Sequence, residues 1–69
     1  MKKFLVTFGL DTPYWDKCLI ISSDDEMKVR EYAYRKYGRL NIATIRDYIE
    51  YQHLIEKYHY KVLEGEVLT

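Results

Sequence analysis

The chain has 69 residues, enough for one domain that buries only roughly 60% of the surface its unfolded form exposes. Eleven Lys and Arg balance eleven Asp and Glu, which argues against a protein held to nucleic acid by bulk charge and makes self-association easy. One cysteine excludes an internal disulfide, fits a reducing compartment, and with two histidines makes a poor metal set.

Residues Lys2 to Leu10 alternate: Phe4, Val6, Phe8 and Leu10 share one face, which is strand periodicity. The run Phe4 to Phe8 is too short for a signal peptide, and nothing approaches a membrane span, so the expected location is the cytoplasm. Gly9-Leu-Asp-Thr-Pro13 has turn chemistry. Trp15 to Ser22 predicts a second strand, dense in Cys18-Leu-Ile-Ile21 and therefore central. So short a connection makes the pair an antiparallel hairpin.

Ser22-Ser-Asp-Asp-Glu26 predicts a helix start, with Ser23 as cap and Glu26 completing a capping box. Asp24, Asp25 and Glu26 suit the positive end of the helix dipole, and Arg35, Lys36 and Gly38 suit its other end. The spacing predicts a helix over 24–37, with Val29, Tyr32, Ala33 and Tyr37 inward and Met27 and Tyr34 outward.

Residues 39–60 admit two readings. In one, a strand over Leu40 to Arg46 precedes a helix that Asp47 caps. In the other, Asn41 caps one long helix. Asp47 and the β-tolerant Ile42-Ala-Thr-Ile45 favour the first. Either reading puts Ile49, Gln52 and Ile55 on the inward face and Tyr51, Leu54 and Tyr58 on a second stripe. Tyr60-Lys-Val-Leu63 and Val67-Leu68 predict a last strand. The expected fold is α+β, ordered β-β-α-(β)-α-β: a small, mainly antiparallel sheet with two helices on one face.

No residues are spaced for catalysis. His53 and His59 are six apart, about 240° around a helix, and cannot share a metal there. Cys18 sits in an apolar strand, where a thiolate is disfavoured. The three glycines are scattered at turns rather than gathered in a phosphate loop. We therefore expect neither an enzyme nor a bound cofactor.

Protein binding has the better case, since Tyr and Trp bury large area at low entropy cost. The candidate partner residues are Tyr14, Trp15, Met27, Tyr34, Tyr51, Leu54 and Tyr58; for Tyr51 and Tyr58, closing a thin core is an equal alternative. The rival reading is single-stranded nucleic acid held by Tyr34, Arg35, Lys36, Tyr37 and Arg39, where aromatic and basic groups interleave. Helix capping explains the same basic residues without a ligand.

Lys36-Tyr-Gly38, Asn41-Ile-Ala-Thr-Ile45, Leu54-Ile-Glu-Lys-Tyr58 and Tyr60-Lys-Val-Leu-Glu64 resemble stretches of small accessory proteins of phages and prophages in Gram-positive bacteria. The resemblance covers about the last half of the chain. It implies a small cytoplasmic protein that binds and inhibits a host protein, host defence nucleases included. It carries over no functional residue. His59 stands where a helix-ending glycine would be expected.

Overall fold

A computed structural model describes residues Met1–Leu68. Lys2–Phe8 forms β1 and Lys17–Ser23 forms β2, antiparallel, with Val6 opposite Leu19 and Phe4 opposite Ile21. Glu26–Tyr37 forms α1. A 3-10 turn over Arg39–Asn41 leads into β3, Ile42–Asp47, which lies antiparallel to the other side of β1. Two short helices follow, α2 over Tyr48–Tyr51 and α3 over His53–Lys57. The chain returns as β4, Lys61–Val67, parallel to β2. The fold is α+β, and its sheet order is β3-β1-β2-β4. Two of the three pairings are antiparallel, and the strand reading of residues 42–47 is the one realised.

Alternation along β1 decides the layers. Phe4, Val6 and Phe8 join Leu19, Ile21, Val29 and Ala33 in the core beneath α1, with Tyr32 and Tyr37 packed against them. The predicted inward stripe of α1 is therefore the observed one. Leu10 does not follow the pattern: β1 ends at Phe8, and Leu10 is 84% exposed in the connecting loop.

The helix cap also differs from expectation. Asp25 caps α1, its carboxylate accepting from the Met27 amide at 2.9 Å. Ser23 is the buried last residue of β2, and its hydroxyl bonds the Asp25 backbone. The strand runs on to residue 23 and delays the helix by two residues. At the other end Gly38 takes φ 91°, and its amide bonds the Tyr34 carbonyl at 3.0 Å. That conformation suits glycine and few other residues.

The two helical segments do not share a face. Leu5 and Cys18 are fully buried yet lie on the side of the sheet away from α1. The segment α2–α3 covers that side. The Arg46 guanidinium, beside Leu5 in the sheet, stacks on the Tyr51 ring at 5.3 Å, and the Lys3 ammonium lies 5.5 Å from the Tyr48 ring. Tyr48, Tyr51, Leu54 and Ile55 are the half-buried residues, whereas Ile49 is 73% exposed and Gln52 is exposed. The inward face expected at Ile49 and Gln52 is thus corrected. Flat tyrosine rings cover a sheet while their hydroxyls reach water, so aromatic residues outcompete the aliphatic ones here.

Candidate functional site: the loop end of the sheet

Strand directions bring four separate segments to one end of the molecule. The β1–β2 loop lies there, as do the start of β3, the C-terminus of α1 and the entry to β4. Backbone bonds join them. The Gly9 amide donates to the Asn41 carbonyl at 3.0 Å, and the Lys61 amide donates to the Asp16 carbonyl at 2.8 Å.

The loop over residues 9–16 is a chain of turns built on Thr12, which is buried. Its hydroxyl donates to the Gly9 carbonyl at 2.8 Å and accepts from the Tyr14 amide at 3.3 Å. The Trp15 amide then bonds the Thr12 carbonyl, and the Lys17 amide bonds the Tyr14 carbonyl. This fixes opposite fates for the adjacent aromatics. Tyr14 turns inward and packs on Phe8 and Tyr37, with centroids at 4.9 and 5.3 Å. Trp15 points out and is 56% exposed.

Three more large apolar side chains stand exposed at the same end. Leu10 follows Gly9, Leu40 precedes Asn41 and is 96% exposed, and Tyr58, 54% exposed, precedes β4. The Lys57 ammonium covers one side of the Tyr58 ring, and the Tyr60 ring lies 5.9 Å away. His59 between them has φ 56°, the left-handed turn that ends α3. Leu10 and Leu40 escaped the candidate partner residues: the sequence reading assigns Leu40 to a strand and places Leu10 on the alternating β1 face as well as in the Gly9–Pro13 turn. Gly9 before one and Gly38 shortly before the other were the available turn signals.

Neither a protein-family model, nor a curated protein, nor a solved structure matches this chain.

The remaining predicted partner residues fall elsewhere. Met27 is exposed at the start of α1, the far end of the molecule. Tyr51 and Leu54 are half-buried over the back of the sheet. Tyr34 is half-buried, with the Arg39 guanidinium 5.9 Å from its ring.

Two of the five residues grouped for nucleic acid are engaged internally. Lys36 binds Glu64 at 2.6 Å, and Tyr37 meets Phe8 edge-on at 5.3 Å. The Lys36–Glu64 bond and the Tyr32 hydroxyl hold the Lys36 ammonium protonated well beyond the usual lysine range. Burial pushes the Glu64 carboxyl up, but Lys36 and Tyr32 outweigh it and leave the net shift downward.

A shallow hollow of about 290 Å³ lies along α1, lined by Lys28, Glu31, Tyr32, Arg35 and Leu68. Among the described residues no cluster of His, Cys, Asp and Glu is arranged to hold a metal ion. Nor, among the described residues, is any helix long and apolar enough to cross a membrane.

Proposed function

We propose that this protein is a non-catalytic binding module that docks on another protein through the loop end of its sheet and inhibits or regulates it. It acts in the cytoplasm, in the manner of a phage-type accessory protein directed at a host component. The observation that carries this reading is the gathering of Leu10, Trp15, Leu40 and Tyr58, all exposed, at one end. Exposed apolar groups brought together mark a surface that another chain covers. The Thr12 turns hold Trp15 in place beforehand, which lowers the entropy cost of docking. Nucleic acid takes second place, because Lys36 and Tyr37 are already engaged within the fold.

The test is capture from an extract of a Gram-positive host, comparing the parent chain with Trp15→Ser/Leu40→Ser. Removal of two anchors should weaken capture by roughly tenfold or more, with the circular dichroism spectrum unchanged. Retention of every partner by the folded double variant overturns the loop end as the docking surface. A short oligonucleotide, titrated at low salt, should not bind. Binding that falls steeply as salt rises would favour the nucleic-acid reading instead.

A further inference from the structure

β4 closes one side of the sheet, and its seven residues have a strand partner on one edge only. All of them except Glu64 are exposed. A free edge of this length is a template for another strand. Opposite charges placed symmetrically along it decide which strand fits.

The register with β2 sorts the side chains. Glu64 lies beside Leu19 and Glu66 beside Ile21, both core residues beneath α1. Lys61, beside Lys17, shares that face by alternation. Val62, Gly65 and Val67 lie beside Cys18, Ile20 and Ser22 and occupy the opposite face. The register shifts between Cys18 and Leu19, so Leu63 is an extra residue in a bulge and shares one position with Glu64. The bulge makes the strand symmetric about its middle, with Lys61 and Glu66 equidistant on one face and Val62 and Gly65 equidistant on the other.

We infer that two copies of this chain pair antiparallel along β4, with Lys61 of each opposite Glu66 of the other. A two-fold axis at the bulge brings each residue opposite one on its own face, as an antiparallel ladder requires. Two Lys61–Glu66 pairs form. Neither residue belongs to an ion pair within the described chain. Val62 packs across Gly65, where even an added Cβ would meet nothing closer than the Ile20 carbonyl at 3.7 Å. The two Glu64 carboxylates lie nearest the axis, but Lys36 and Tyr32 hold each toward its own α1. Sliding the pair one position along β4 sets Glu64 opposite Glu66 twice, like charge to like. Sliding it the other way sets Lys61 opposite Glu64, whose carboxylate Lys36 and Tyr32 already hold, and leaves Gly65, Glu66 and Val67 outside the ladder. A chain with no net charge opposes this association little.

This edge meets the loop end at Lys61, where β4 begins, but it takes a different occupant through different side chains, so the two readings can fail independently. Sedimentation equilibrium from micromolar to millimolar chain should show a monomer–dimer equilibrium. Lys61→Glu and Glu66→Lys, each setting two like-charge pairs across the axis, should weaken it by roughly tenfold. The double variant Lys61→Glu/Glu66→Lys should restore it to near the parent. Circular dichroism checks that each variant is folded, and the two single variants report independently. A chain that stays monomeric throughout overturns the inference. So does a dimer indifferent to both single reversals, or a double variant that fails to recover. Loss of the dimer in Trp15→Ser/Leu40→Ser would place self-association at the loop end and overturn the β4 pairing.

Discussion

The Tyr32 hydroxyl donates to the Glu64 carboxylate at 2.7 Å, tying the middle of α1 to the edge strand β4. Lys36, one turn on, reaches the other oxygen of the same carboxylate at 2.6 Å. β4 is otherwise a thin attachment: it has one strand neighbour, and no side chain from Lys61 to Val67 is buried. The three-residue link therefore sets how firmly the chain's last strand is held. Tyr32→Phe removes the donor and should destabilise the fold by about 1 kcal/mol, read from urea denaturation. Opening of β4 ahead of the remaining sheet in hydrogen exchange would accompany it.

The same link sets a pH dependence. The Glu64 carboxyl lies below its ordinary value of 4.5 in the fold, so its contribution is full above pH 4.5 and is lost as pH falls through the lower folded value. Lys36 is shifted up from 10.5, so its contribution is full below that pH and is lost above it. Stability supplied by the link thus spans the interval between those limits. Lys36 is half exposed, and solvent screening reduces its share. In Glu64→Gln the thermal midpoint should fall at neutral pH and change less than the parent's on acidification below pH 4.5. Parallel acid limbs for the two proteins would refute the assignment.

Gly38 and His59 occupy left-handed backbone, and they predict opposite effects. Gly38, at φ 91°, already suits its position, and Gly38→Ala should cost about 1 kcal/mol or more. His59, at φ 56°, carries a side chain where glycine would be unstrained. His59→Gly should stabilise the protein by roughly 0.5–1 kcal/mol, a rise in midpoint of about 2–8 °C for a chain this size. Thermal melts of the two variants check both signs.

Cys18 is fully buried in β2, and burial pushes its thiol up to about 11. At neutral pH it should be inert to a thiol reagent in the native protein and react fully in denaturant. The slow native rate then measures opening of the α2–α3 cover. Rapid native labelling would contradict the burial.

Asp25, rather than Ser23, accepts from the first turn of α1. Asp25→Ala should cost about 1 kcal/mol of stability, as loss of a side-chain cap does. An unchanged denaturation midpoint would return the cap to Ser23.

Periodicity and capping chemistry made much of this fold legible. Phe4, Val6 and Phe8 announced β1 and its buried face. Val29, Tyr32, Ala33 and Tyr37 announced the packing stripe of α1, and Gly38 its end. These features are local, because alternation and 3.6-residue spacing are written into neighbouring residues. The tertiary structure alone decided the rest. That α2–α3 crosses to the back of the sheet depends on β3 lying beside β1, a long-range pairing that no short window contains. That crossing turned Tyr51 and Leu54 toward the sheet and left Ile49 in solvent. The parallel return of β4 brought Glu64 to Tyr32 and Lys36, from 32 and 28 residues away in sequence. The same topology gathered Leu10, Trp15, Leu40 and Tyr58 at one end. Local pattern says which residues seek burial; the order and direction of the strands determine which of them find it.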